Sequence, residues 1–156
     1  MPALAEELLH GVLDRMPVAR LALRDHDDQP EALPVVIARA AGALWFPIDG
    51  KPKRSGAGLS RLARLERAPR VMLLFDHYGE DWSALWWLRL SCMAEIVRDG
   101  HADWAAAVAA LTLKYPQYAT VPMFKDEAIM VRLEWSKIGW WQAAPDGIAR
   151  WLDAHA

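Results

Sequence analysis

Apolar residues recur along this chain with two periods, and the switches between them divide it into short elements. At the start, Leu4, Leu8 and Val12 share a helical face, joined by Leu9, Leu13 and Met16. Residues 4–15 therefore predict a helix, ended by Pro17. From Val18 to Arg24 the period falls to two: Ala19, Leu21 and Leu23 point one way, Arg20 and Arg24 the other. The polar run Asp25–Pro30 is a turn, Leu33–Ala40 a second strand pairing as a hairpin, and Ala41-Gly42 leads into a third strand, Ala43–Ile48.

A basic loop follows, then a short helix, Leu59–Arg67, with Leu59 and Leu62 inward and Arg61, Arg64 and Arg67 on an outer stripe. Val71–Phe75 shows little polar alternation, which predicts a strand covered on both faces. Beyond the polar and aromatic loop Asp76–Ser83, Leu85–Val97 is the longest strand candidate and sends Trp86 and Trp87 to opposite faces. Asp99-Gly100 turns into a helix, His101–Lys114, with Trp104, Val108 and Leu111 inward. After a loop, Tyr115–Pro122, Ile129–Lys137 is the last strand, with Ile129, Val131, Leu133 and Trp135 inward and Arg132 and Glu134 outward. Trp140-Trp141 and a short tail with a helical option close the chain. Strands are mostly consecutive and helices inserted singly. That excludes a doubly wound parallel sheet and predicts one mainly β domain over residues 1–156, a small antiparallel barrel with accessory helices.

Charge sharpens the picture. Residues 51–70 hold seven cations against one acid, Glu66, so this block carries +6 and the remainder −8 of a −2 total. The net balance argues against a general nucleic-acid binder. No apolar run approaches the roughly 18 residues of a membrane span, so no membrane partner is expected. A single cysteine, Cys92, excludes an intrachain disulfide and a cysteine zinc site. With an N-terminus interrupted by Glu6, Glu7 and Asp14, the expectation is a cytoplasmic protein.

The basic block begins Gly50-Lys51-Pro52-Lys53-Arg54-Ser55, directly after a strand and before a helix. Extended backbone stiffened by Pro52 would project Lys51 and Lys53 the same way. Arg54 adds a planar fork and Ser55 a hydroxyl or helix cap. This arrangement suits a phosphate, although no Walker loop is present; the competing reading is a solvated cationic loop. His77, Asp76 and Asp81 form a poor metal set, so no metal is expected. No nucleophile elbow occurs, and the catalytic residues remain unknown. Nine tryptophans exceed what so small a core needs, and some should line a ligand pocket or a subunit contact. Trp87 and Arg89 share a face. A charge beside so much apolar surface needs a partner, either an acid such as Glu95 or Asp49 or a ligand carbonyl or phosphate.

Several motifs together resemble one family. They are Gly50-Lys-Pro-Lys-Arg54, Ala68-Pro69-Arg70-Val71, Asp76-His77-Tyr78, Asp81-Trp82-Ser83-x-Leu85-Trp86-Trp87 and Lys114-Tyr115-Pro116-x-Tyr118. Over about Val18–Trp140 the chain resembles the pyridoxamine 5'-phosphate oxidase-like FMN-binding split-barrel group, and within it a branch of deazaflavin-dependent enzymes. The resemblance implies a six-stranded antiparallel split β-barrel that forms a homodimer, with FMN or the deazaflavin coenzyme F-420 across the interface. It implies a phosphate held by Lys51, Lys53, Arg54 and Ser55, and a ring beside Trp86, Trp87 and Arg89. His77, Tyr78 and Trp82 are candidates for shaping the pocket of a small-molecule substrate. The R-Q-V-R pattern of the true oxidases is replaced by Leu85-Trp-Trp-Leu-Arg89, which argues against pyridoxamine phosphate as substrate. Leu90-Ser-Cys-Met93 stands where a glycine-containing turn or bulge is expected, so which tryptophan faces the cofactor stays open. The implied activity is hydride transfer between the cofactor and a small organic substrate. Its rivals are a non-catalytic flavin or haem carrier and, more distantly, an RNA or acidic-protein contact at the basic block.

Overall fold

The computed structural model describes residues 2–25, 27–48 and 61–156. Seven strands form one antiparallel sheet: β1 (Ala19–Arg24), β2 (Pro30–Val35), β3 (Ala38–Ala40), β4 (Ala43–Pro47), β5 (Arg70–His77), β6 (Trp86–Arg98) and β7 (Ile129–Gln142). Their order is β2-β1-β5-β6-β7-β4-β3. Among the described residues four α-helices accompany them: α1 (Glu6–Arg15), α2 (Arg61–Arg67), α3 (Trp104–Lys114) and α4 (Gly147–Ala154). No helix among the described residues is long and apolar enough to cross a membrane.

The strand expected over 33–40 is two strands, which raises the count from six to seven. β2 and β3 are consecutive in the chain yet sit at opposite ends of the sheet. Only Val36 and Ile37 connect them, so the two edges lie within about 11 Å where the chain crosses. The sheet must therefore curl until its edges nearly meet, while β2 and β3 share no ladder. The barrel is closed by chain and split in its hydrogen bonding.

Side chains explain the break. The Ile37 N–H donates to the Tyr115 hydroxyl at 3.0 Å, and the Ile37 carbonyl accepts from the Lys114 ammonium at 2.7 Å. Backbone groups that would have continued a ladder are taken by α3 and its end. Lys114 also donates to the Leu13 carbonyl at 2.8 Å, and Tyr115 to the Pro17 carbonyl at 2.8 Å. One Lys-Tyr pair thus ties the end of α1, the entry to β1 and the split together.

Inside the barrel, Leu21, Leu73, Phe75, Trp86, Leu88, Leu90, Val131 and Leu133 form the main core, closed by Leu9, Val12 and Leu13 of α1 and Ile148 and Leu152 of α4. A second core lies under α3, where Ala107 and Leu111 meet Trp45, Val97 and Met130. Arg64, expected on an outer stripe with Arg61 and Arg67, is buried instead at 6 % exposure. It is held by Glu31 of β2 at 2.6 Å.

The irregularity expected near Leu90–Met93 falls on the partner strand. Ser91 pairs with Lys137 and Cys92 with Trp135, so Ser136 is an extra residue in β7. A bulge of one residue reverses the alternation beyond it. Ile129, Val131 and Leu133 point inward before it, and Trp140 packs on the core after it.

Candidate functional site

β6 lies in the middle of the sheet, paired with β7 along its length and with β5 from Trp86 to Met93, so both edges of its first half are held. Its alternation sends Trp86, Leu88 and Leu90 inward, each 0 % exposed. Trp86 meets Trp151 of α4 edge-on at 5.3 Å between ring centroids. It is a core residue, without surface to offer a ligand on the outer face. Trp87 and Arg89 point outward.

On that outer face the Arg89 guanidinium lies 5.0 Å from the centre of the Trp87 ring. Gly139 of β7 stands directly opposite Arg89. A Cβ at Gly139 would lie 3.4 Å from Arg89 Nη2 and 3.7 Å from Trp87 Cζ3. A Cβ there would touch both groups at ordinary contact distance, so a branched side chain would crowd the guanidinium over the indole. Glycine inside a strand marks such a close approach, and this was the signal in the sequence for a third member of the site. Trp141, paired with Trp87 across the ladder and 37 % exposed, extends the aromatic surface.

Arg89 has no carboxylate partner among the described residues. Asp76, next to Trp87 on the other side, is taken by Arg20 at 3.2 Å. Glu95, one of the acids considered for Arg89, is engaged by Arg132 at 3.6 Å. Asp49, the other, lies outside the described residues. A planar cation whose donors meet no carboxylate among the described residues, resting on an indole, can hold a flat group by stacking and an anionic or carbonyl oxygen by hydrogen bonds.

The other candidates separate. Lys51, Pro52, Lys53, Arg54 and Ser55 lie outside the described residues; the flanks are placed, with the Ile48 N–H donating to the Ile129 carbonyl at 3.1 Å and α2 beginning at Arg61. His77 pairs with Trp86 at the end of the β5–β6 ladder. Tyr78 and Trp82 are 62 % and 77 % exposed on the connection that follows. There, Asp81 accepts from the Ser83 hydroxyl at 2.6 Å and from its N–H at 3.1 Å. Those bonds hold the Asp81 carboxyl below its ordinary range and commit it to shaping the 3-10 turn Trp82–Ala84. Lys114 and Tyr115, conspicuous in the sequence, face the split rather than the outer ledge. Burial pulls the Lys114 ammonium down to about 8, against the opposite pull of Asp14, and pushes the Tyr115 phenol up.

With this geometry the chain compares directly with solved proteins. It superposes on the conserved hypothetical protein Rv2991 from Mycobacterium tuberculosis with a TM-score of 0.72 and 19 % identity, over 90 % of this chain and 86 % of that one. The fold is a split barrel. HutZ, the heme storage protein from Vibrio cholerae, matches with a TM-score of 0.64 and 13 % identity over 88 % of this chain and 93 % of its own. An F-420 reductase matches with a TM-score of 0.59 and 15 % identity over 89 % and 98 %. At such identities the likeness is one of fold. No protein-family model matches the chain, and no curated protein does.

Proposed function

We propose that this split barrel is a cofactor-dependent oxidoreductase that moves a hydride between a flavin-type cofactor, FMN or coenzyme F-420, and a small organic substrate. The observation that carries the reading is the Arg89 guanidinium, without a carboxylate partner among the described residues, resting on Trp87 at the outer face of the central strand. Solved relatives of this fold include an F-420 reductase and a heme storage protein, which makes a planar redox group a natural occupant. When bound, such a cofactor supplies the two-electron chemistry. Trp87 would lie against its ring, and Arg89 would meet a carbonyl or anionic oxygen. Lys51, Lys53, Arg54 and Ser55, with Pro52 between them, would hold the phosphate. His77, Tyr78 and Trp82 would border the substrate side, and a second copy of the chain would cover the cofactor.

Titration of the purified protein with FMN and with F-420, followed by tryptophan quenching, tests this. Binding of one of them well below millimolar is expected, weakened about tenfold in Arg89→Gln and in the double variant Lys53→Ala, Arg54→Ala. Failure of both cofactors to bind below about millimolar removes the proposal. A carrier is the second reading, favoured by the likeness to a heme storage protein. Tight cofactor binding without reoxidation by any acceptor would select it.

A further inference from the structure

A groove of about 800 Å³ opens on the outer face of the sheet where β1, β5 and β6 run side by side. Its size falls within the range of small-molecule sites. Ala22, Met72, Met93 and Pro30 supply apolar lining, Arg24 and Arg70 supply charge, and Ser91 and the bulge residue Ser136 supply hydroxyls.

The charge in this groove is available. Arg70 has no carboxylate partner among the described residues. Arg24 is held by Asp28 at 3.0 Å, but both side chains are more than half exposed, and such a pair exchanges partners at little cost. The acid opposite Met93, Glu134, is engaged by Arg132 at 3.4 Å. Two arginines therefore face a mostly apolar trough with hydroxyls at its far side. Apolar walls with one charged end select a ligand that is itself divided in that way.

We infer that this groove binds an amphipathic organic anion, its carboxylate or phosphate at Arg70 and Arg24 and its apolar body along Met72 and Met93. Ser91 follows Arg89 by two residues on the same face, about 7 Å along the strand, so the occupant lies beside the Trp87–Arg89 ledge. That the anion is the redox substrate rests on the function proposed above; the groove's affinity for it does not.

Octanoate, with 1-octanol as its uncharged counterpart, is the probe. Calorimetric titration of the full chain should show octanoate binding at least tenfold more tightly than 1-octanol. The amide resonances of Arg70, Ser91 and Ser136 should move. Arg70→Gln should weaken octanoate about tenfold and leave FMN and F-420 titrations unchanged. Equal affinity for acid and alcohol overturns the inference. So do shifts confined to other regions, unaltered binding in Arg70→Gln, or a solution dimer whose second copy keeps octanoate out. Octanoate binding at these residues in a chain that takes up neither cofactor would sink the redox reading and leave the groove standing.

Discussion

Lys114 gives the sharpest test of how the split is held. Its ammonium donates to Leu13 and Ile37, two carbonyls that no strand ladder satisfies, and burial lowers its pKa from 10.5 to about 8. The sign follows from proton counts. Between pH 8 and 10.5 the unfolded chain holds this proton and the folded chain has begun to release it, so stability rises with pH. Integrating between those two values, the rise from pH 8 to pH 10 is about 2 kcal/mol. Tyr115 and Tyr118, both raised by burial, oppose it only as pH passes 10, which sets the upper edge of the window. Urea unfolding of the wild type and Lys114→Met at half-unit steps from pH 7.5 to 10 is the assay. The difference between the two curves should change by about 2 kcal/mol over that span, removing other titrating groups common to both. Parallel curves would mean that the ammonium is as well solvated folded as unfolded, and the argument for a buried clamp would fail.

Three further outcomes follow from the packing. Glu31→Ala should cost about 2–3 kcal/mol by leaving Arg64 buried without its carboxylate, and adding Arg64→Leu should restore most of it, read by urea midpoints. The Cys92 thiol, pushed up to about 12 by burial, should react with a disulfide reagent at pH 8 only as fast as the chain unfolds. Gly11→Val should cost roughly 1–3 kcal/mol in thermal or urea unfolding, because a Cβ there already meets Leu152 Cδ1 at 2.9 Å and the buried Leu152 side chain must shift to admit the branched methyls.

Much of this fold is legible in the two periods of the chain. The inward rows of β1 and of the first half of β7 and the inward face of α3 follow directly from the two periods, because one buried face dictates each pattern. The break at Ile37 is not legible, since what interrupts the strand is a lysine and a tyrosine more than seventy residues away. Arg64 misleads for the same reason: its helical position reads as solvent-facing, and only Glu31 of another element makes its burial tolerable. The opposite faces of Trp86 and Trp87 are legible, but which face is inside depends on how the sheet curls.

That curl also explains where ligand chemistry can reside. A barrel this small fills its interior with Trp86, Phe75 and Leu88, leaving no room for a cofactor inside. The cofactor proposed above would therefore have to lie on the outer face, where a few positions leave space. Gly139 leaves space beside the Arg89 guanidinium, Asp76 is drawn away by Arg20, and the extra residue Ser136 turns Trp140 inward and leaves Trp141 outward. Restoring bulk at one of these positions separates the two roles. Gly139→Val lies outside the packed core, so its cost in stability should stay near the ordinary surface range of about 0.5 kcal/mol. Its two methyls, borne on a Cβ that would already touch the nearest guanidinium nitrogen at 3.4 Å, should still press Arg89 off the indole and weaken cofactor binding as much as Arg89→Gln does. Full affinity in the Gly139→Val protein would show that the guanidinium need not rest on the indole to hold a ligand.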